Sequence, residues 1–302
     1  MLFDFWIENY RGELAALSGA CLWATASVVY TYLGRSIPPL LLNLSKGAIG
    51  IAFILFALIL QGDFAPSATP RAIGLLTISG VVGIGLGDSF FFEALNHLGA
   101  RRALLIEALA PPLTAVFALI FLQEQLSISN WSGIFITVFG VSWVISERVP
   151  EVTGKQRQHP LRGTIFALLA ALGQASGAVL SRSALSQSDI SPLWSTLFRL
   201  VAGVLVILLI LPSQRQGKDW LKSLGDKQLI GIIILTSFAG TFLGIWLQQT
   251  AFKYTAAGIA QALLATSPLF VLPIVICMGE RVSKRALAGV LVAIAGIFIL
   301  FN

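Results

Sequence analysis

The chain has 302 residues, of which 56% are hydrophobic and only 11% are charged, and its mean hydropathy is +0.86. A soluble domain of this length could not bury so much apolar surface, so the composition excludes a soluble globular protein and indicates a bilayer protein. The net charge is +6, but the basic residues lie mostly between apolar runs, which is typical of membrane proteins and does not indicate a nucleic-acid partner. Cys21 and Cys277 lie within apolar runs, so there is no disulfide framework or cysteine metal motif.

Ten apolar segments follow one another along the chain, and each is close to the length of about 20 residues that a helix needs to cross a bilayer. Their approximate bounds are 12–34, 39–60, 72–97, 102–122, 130–146, 162–182, 191–211, 228–252, 257–277 and 286–301. The longest polar joint, 147–161, separates the fifth segment from the sixth. We therefore predict an all-α membrane protein with ten transmembrane helices, divided into five-helix repeats at residues 1–150 and 151–302.

Because five is an odd number, the two repeats must be inverted relative to each other, and the basic residues agree with this. One side of the predicted bundle carries only four, namely Arg11, Arg71, Arg182 and Lys253. The other side carries fourteen, namely Arg35, Arg101, Arg102, Arg148, Lys155, Arg157, Arg162, Arg215, Lys218, Lys222, Lys227, Arg281, Lys284 and Arg285. The excess of cytoplasmic Lys and Arg in membrane proteins predicts that the second side is cytoplasmic and that both termini are outside.

The two halves also share a sequence pattern at a constant offset of 156 residues. The first copy is Pro112, Glu124, Ser127, Gly133 and Gly140, and the second is Pro268, Glu280, Ser283, Gly289 and Gly296. Two-fold internal repetition in a membrane chain is typical of secondary transporters. We expect Glu124 and Glu280, at the membrane edge, to be structural joint residues. Prolines in the fourth and ninth segments are expected to kink those helices and free backbone carbonyls for a cavity.

With these motifs, the stretch AFKYTAAGIAQALLATSPLFVLPIVICMGERVSKRALAGVLVAIAGIFILF resembles the C-terminal repeat of the EamA family, within the drug/metabolite transporter superfamily. The first half matches it with the stretch from Gly85 to Gly140, although Gln123 to Gln125 read Gln-Glu-Gln where the family usually has Gly-Glu-Arg. The resemblance covers essentially all ten segments. It implies an inverted-repeat carrier that moves small organic solutes, commonly amino acids or related metabolites, by alternating access. It also implies export, and a location in the bacterial inner membrane.

Two cations occupy equivalent places inside apolar segments. Lys46 follows Pro39 by seven residues and Arg199 follows Pro192 by seven, so inversion would direct both toward one central region. Ionisable residues within the membrane are costly, at about 2.5 to 3.5 kcal/mol on insertion scales, and are functional candidates. We interpret both as ligands for a carboxylate or phosphate of a solute. The alternative is that each extends toward a head group or pairs with a carboxylate.

The third segment carries the candidate coupling residues Asp88, Glu93 and His97. Asp88 and Glu93 are five residues apart, so they point about 140° apart on an ideal helix. Glu93 instead shares a face with Asn96 and His97, which suits a proton-linked group because His titrates near neutral pH. The alternative is polar pairing between helices. Their second-half counterparts are Ile245 and Thr250, so acid chemistry would belong to the first half.

Glu107, in the fourth segment, could bind a solute amine, or it could form an ion pair with Lys46. Trp23 and Trp246 are expected to face the cavity because Thr25, Gln248 and Gln249 are their polar neighbours. We therefore include Trp23, Trp246 and Gln249 among the predicted substrate-binding residues.

No catalytic constellation or metal-ligand spacing is present, so we expect neither an enzyme nor a cofactor or metal. The leading hypothesis is a secondary transporter of small metabolites, with a small solute, the lipid bilayer and a coupled proton as partners. A homodimer is left open. Efflux of lipophilic cations is a second hypothesis, which Lys46 and Arg199 would oppose. A membrane scaffold without transport is the third.

Overall fold

The computed structural model describes residues 9–33, 37–98, 100–148, 160–211, 227–277 and 283–301, and in these ranges the chain is helical without any β-strand. The first repeat contains α1 (Arg11–Leu33), α2 (Pro39–Gln61), α3 (Pro70–Ser79, Gly80–Gly87 and Asp88–Leu98), α4 (Ala100–Glu107, Ala110–Phe117 and Ala118–Leu122) and α5 (Ile128–Arg148). The second contains α6 (Pro160–Ser186), α7 (Pro192–Ile210), α8 (Lys227–Thr236, Ser237–Leu243 and Gly244–Tyr254), α9 (Ala257–Leu264 and Ser267–Cys277) and α10 (Lys284–Leu300).

The predicted fold is confirmed: the protein has ten transmembrane helices in two inverted five-helix repeats. Nine of the described helical segments are at least 18 residues long and apolar enough to cross a bilayer, and α10 adds 17 helical residues. Large apolar side chains such as Phe121 and Leu209 are exposed on the outside of the bundle. Exposure of this extent is unfavourable in water and is expected for a surface that faces lipid.

Helix starts follow local sequence signals. Thr69, Ser191 and Ser283 each precede a helix, and each side-chain oxygen accepts a hydrogen bond from a backbone N–H in the first turn, at 3.0 to 3.3 Å. These bonds satisfy donors that have no partner within the helix. Proline follows Thr69 and Ser191 at the first helical position, where its missing N–H costs nothing.

The repeated glycines hold α5 and α10 together. These two helices are antiparallel, and Gly140 lies against the backbone of Gly289 and Ala293, while Gly296 lies against Thr137. A Cβ atom at Gly140 or Gly296 would be too close to the backbone of the other helix. Small residues allow such close approach of membrane helices, which explains why the same glycine spacing occurs in both repeats.

The central helices depart from regular α-helix at equivalent places in the two repeats. In α3 the residues Gly80–Gly87 form a π-helix, and in α8 the residues Ser237–Leu243 do the same. A π-helix carries an extra residue per turn and often occurs at functional sites. The sequence analysis did not predict these π-helices.

The expected kinks in α4 and α9 are confirmed. The first helical segment of α4 ends at Glu107 and the next begins at Ala110, just before Pro111. The first segment of α9 ends at Leu264 and the next begins at Ser267, just before Pro268. Each break leaves backbone groups outside the regular helical ladder, which within a membrane is tolerated only where protein or a cavity surrounds them.

One end of the bundle is closed by a charged joint. The Nε atom of Arg182 donates to Oε1 of Glu124 at 2.5 Å, and Nη1 donates to the carbonyls of Phe252 and Lys253 at 2.9 and 2.8 Å. The other Glu124 oxygen accepts from the backbone N–H of Ala257 at 3.0 Å. The guanidinium thus lies at the C-terminal end of α8 and the carboxylate at the N-terminal end of α9, the arrangement that helix dipoles favour.

This geometry agrees with the prediction that Glu124 is a structural joint residue. Its repeat counterpart, Glu280, lies outside the described residues. At the same end, Lys253 donates to the carbonyl of Ile190 at 2.8 Å and Arg11 lies over the ring of Tyr254 at 4.3 Å. Three of the four basic residues expected on this side therefore take part in contacts that hold helix ends together.

Candidate solute-binding site

A cavity of about 390 Å³ lies between the two repeats. In the first repeat its walls come from the second halves of α1, α3 and α5 and from the first halves of α2 and α4. In the second repeat they come from the central parts of α6 to α9 and from the second half of α7. The cavity therefore occupies the half of the bundle opposite the Glu124–Arg182 joint, near the connections that carry most of the basic residues.

The irregular parts of the helices form much of this wall. Ala108 and Pro111 line it from the break in α4, and Ala265 and Ser267 line it from the break in α9. The π-helices contribute as well, with Ile84 from α3, and with Gly240 and Thr241 from α8. Discontinuous helices at a repeat interface are a common way for transporters to build a solute site near the bilayer midplane.

Lys46 and Asp88 lie beside each other in the cavity wall. The Lys46 Nζ atom is 3.9 Å from Asp88 Oδ2, and about a quarter of each side chain is exposed. Gln174 Nε2 donates to the other oxygen, Oδ1, at a long 3.4 Å. The Lys46 ammonium also lies 5.7 Å from the centre of the Tyr30 ring, within the range of a cation–π interaction. The pair is at the outer limit of an ion pair, so a solute could compete for either charge.

Arg199 is the second cation in the wall, and only 2% of the residue is exposed. Its Nη1 atom donates to Gln248 Oε1 at 3.1 Å, while its Nε has no hydrogen-bond partner among the described residues. Arg199 and Lys46 both attract Asp88 electrostatically. One carboxylate therefore stands between two cations. This leaves positive charge available for an anionic group.

Glu107 also lines the cavity. In the described part of the chain it has no Lys, Arg or His nitrogen within 4.0 Å, so the alternative of a Lys46–Glu107 ion pair is wrong and Lys46 pairs with Asp88 instead. Glu107 and Asp88 repel each other electrostatically. The site thus contains a second carboxylate, separate from the Lys46–Asp88 pair.

Of the three residues Trp23, Trp246 and Gln249, only Trp23 lines the cavity. The Trp23 indole N–H donates to the carbonyl of Gly240 at 2.8 Å, in the π-helix of α8, and Trp23 lines the cavity. Trp246 and Gln249 were expected to do the same but are not among the lining residues. Gln249 is fully buried, with its Oε1 accepting from Ser195 at 2.8 Å, so it joins α8 to α7.

The structure separates the three candidate coupling residues. Asp88 lines the cavity, whereas Glu93 and His97 do not. Glu93 Oε2 lies 3.9 Å from His97 Nε2, and the His97 ring is stacked on Phe166 with 6.1 Å between centres. The expected shared face of Glu93 and His97 is confirmed, and it lies farther along α3 toward the basic end. The Asn96 side chain lies outside the described part of the structure.

Uncharged amides that sequence reasoning missed complete the site. Asn43, Gln174, Gln248 and Gln261 all line the cavity. Asn43 interacts with Asp88, whereas Gln261 Oε1 is buried without a hydrogen-bond partner in the described part of the chain, which is rare in proteins and calls for a ligand or water. The signal that could have found them is an amide side chain within an apolar segment. Among the described residues no group of three or more His, Cys, Asp or Glu could hold a metal ion.

Comparisons with known proteins agree with this architecture. The sequence model of the EamA-like transporter family matches the chain twice, at residues 10–146 and 161–302. A protein of Archaeoglobus fulgidus described as an uncharacterized transporter is 26% identical over 280 residues, which cover 92% of this chain and 94% of that protein. A solved crystal structure shares the fold over 96% of both chains, with a TM-score of 0.77 and 18% identity. The chain belongs to the EamA-like transporter family.

Proposed function

We propose that this transporter is a secondary carrier for small zwitterionic metabolites, with amino acids as the leading class, and that it works as an exporter by alternating access. One observation carries the proposal: the cavity wall combines two cations, Lys46 and Arg199, with two carboxylates, Asp88 and Glu107. An α-amino acid presents one group of each sign, so both of its charges find a partner. The cavity volume also falls within the range of about 300 to 1,000 Å³ that is usual for small-molecule sites.

The same charges oppose lipophilic cations as substrates. A cation in this cavity would lie near Lys46 and Arg199, and juxtaposed like charges cost several kcal/mol. A zwitterion brings its own negative group to these residues. The unpartnered Gln261 Oε1 atom supplies a further acceptor for polar groups of such a solute.

Direction and location form part of the same proposal. If the basic connections are cytoplasmic, as their charge predicts, the cavity faces the cytoplasm and the Glu124–Arg182 joint closes the outer end. This is the conformation in which an exporter of the inner membrane loads its solute. Asp88 is the proposed coupling residue within the cavity, and the Glu93–His97 pair is proposed to exchange protons between Asp88 and the cytoplasmic surface.

The test is a thermal-stabilisation screen of the purified protein in detergent with amino acids, carboxylated or phosphorylated metabolites and lipophilic cations. A ligand at 100 times its Kd stabilises the folded state by about 2.7 kcal/mol. We expect at least one amino acid to stabilise the wild-type protein, and the effect to disappear in Lys46→Ala. Stabilisation by lipophilic cations alone, lost in Glu107→Gln or Asp88→Asn, would overturn the proposal.

A further inference from the structure

We propose that Asp88 is the residue that selects zwitterions over simple anions, because the Lys46–Asp88 pair opens to admit the solute between its two members. Lys46 would bind the solute carboxylate and Asp88 the solute ammonium. This inference rests on the proposed function and assigns roles within the same cavity.

The Lys46–Asp88 pair is arranged as a loose zwitterion receptor. Lys46 Nζ and Asp88 Oδ2 are 3.9 Å apart and each side chain is about a quarter exposed to the cavity. An ion pair with this separation and exposure contributes little. Opening it for a solute with one positive and one negative group replaces one weak contact with two, and the sum of charges in the site does not change.

The surroundings of the pair make the two ends of the solute distinguishable. Arg199 is a second cation in the same wall, and like Lys46 it attracts Asp88. Its Nε is buried without a partner among the described residues. A solute carboxylate in this region would therefore be attracted by both cations, and a solute ammonium by Asp88.

A simple anion would not fit equally well. A carboxylate on Lys46 would displace Asp88 without offering it a positive group, and would leave two negative charges close together in a partly desolvated site. The arrangement thus excludes anions that lack an ammonium group, although the site contains two cations.

The position of Asp88 in α3 supports its movement. It is the first residue after the π-helix Gly80–Gly87. Conversion of one π turn to an α turn changes the register by one residue and would rotate the following side chains by about 100°. Asp88 could in this way turn from Lys46 toward the solute while α3 stays helical.

The experiment uses three matched probes made from each amino acid: the amino acid itself, its N-acetyl derivative, which keeps only the carboxylate, and its amide, which keeps only the ammonium. Binding is measured by titration calorimetry on the full-length protein in detergent. For the wild type, we expect the amino acid to bind about tenfold tighter than either derivative, a difference of about 1.4 kcal/mol.

We expect the N-acetyl derivative to bind to Asp88→Asn at least about threefold more tightly than it binds to the wild type. In the same variant, the amino acid should bind less than about threefold more tightly than its N-acetyl derivative. The amide side chain of Asn is close to Asp in size and can still bind Gln174. Asp88→Ser is the second neutral variant and carries the same expectation if Asp88→Asn does not fold. Asp189→Asn is the matched control, since it neutralises an exposed carboxylate that does not line the cavity and should keep the wild-type order of the three probes.

Two results would overturn the inference: an Asp88→Asn variant that keeps the tenfold preference for the amino acid, or an Asp189→Asn variant that loses it. Failure of the proposed function has a different signature, because then no amino acid binds to the wild-type protein at all.

Discussion

The two ends of this helix bundle use the same kind of charged pair in opposite ways. At the closed end, Arg182 and Glu124 are 2.5 Å apart, and their remaining atoms bind three backbone groups of α8 and α9. At the cavity end, Lys46 and Asp88 are 3.9 Å apart, and Asp88 accepts one further, long hydrogen bond. A short charged pair that also binds backbone groups of two helices holds those helices together, whereas a loose pair beside unpartnered polar atoms is available to a solute.

The contrast extends to the neighbouring residues. Around the closed end, Lys253 and Arg11 also have partners. Around the cavity, Arg199 Nε and Gln261 Oε1 lack hydrogen-bond partners among the described residues. Since buried polar atoms without partners are costly, those in the cavity wall are available to a ligand.

The largest effect on stability is expected from Arg182→Ala. The substitution leaves Glu124, whose side chain is 17% exposed, without its counter-charge and removes the donor to two carbonyls of α8. We expect the free energy of unfolding to fall by about 3 kcal/mol, which is at the lower end of the cost of breaking a buried ion pair. Thermal unfolding in detergent measures this change. Arg71→Ala removes an exposed charge at the same end and should change stability by less than about 0.5 kcal/mol.

A somewhat smaller loss is expected from Gly140→Ala, where backbone proximity and not charge holds the helices. The new Cβ would collide with the backbone of Ala293 and Gly289 in α10, and such overpacking costs about 2 kcal/mol. Gly74→Ala is the control, because a Cβ there meets no atom within 4 Å and alanine favours helix by up to about 1 kcal/mol. Equal unfolding temperatures for the two variants would contradict the close packing of α5 and α10.

Trp23→Phe tests the contact between α1 and the π-helix of α8. It removes the indole N–H that donates to Gly240, and we expect a loss of about 1 kcal/mol. Trp194→Phe is a matched control, since the Trp194 N–H is buried with no partner in the described part of the chain. If Trp194→Phe destabilises the protein more than Trp23→Phe, the hydrogen bond does not stabilise this contact.

The smallest effect on stability is expected from Lys46→Ala, although it should abolish solute binding. The Lys46–Asp88 pair is long and partly exposed, so its loss should cost about 0.5 kcal/mol or less. Lys227→Ala makes the same change of charge at an exposed position and should leave both stability and binding unchanged. Unfolding of Lys46→Ala at a much lower temperature than the wild type would mean that this pair is structural, like the one at the closed end.

Much of the fold could be predicted from the sequence because helix number and repeat symmetry depend on local patterns. The lengths of the apolar segments predicted the ten transmembrane helices. The glycine spacing shared by Gly133–Gly140 and Gly289–Gly296 predicted the two-fold repeat. Lys46 and Arg199 could be placed in one region because each follows its proline by seven residues.

The partners within the site could not be predicted, since they depend on how helices cross. Lys46 was considered a partner for Glu107, but the structure pairs it with Asp88. Asp88 follows a π-helix, whose extra residue per turn changes the direction of every later side chain in α3. Trp246 and Gln249 were predicted at the cavity from their polar neighbours alone, but of these residues of α8 it is Gln248 that lines the cavity.

Counterflow in proteoliposomes tests the central claim most directly. Vesicles that contain the protein and an unlabelled amino acid identified by the binding screen are diluted into a trace of the same amino acid carrying a radiolabel. We predict transient accumulation of label with the wild type and with Lys227→Ala, and none with Lys46→Ala. Accumulation by Lys46→Ala equal to that of the wild type, or wild-type counterflow with lipophilic cations but with no amino acid, would contradict a carrier that holds zwitterions at Lys46 and Asp88.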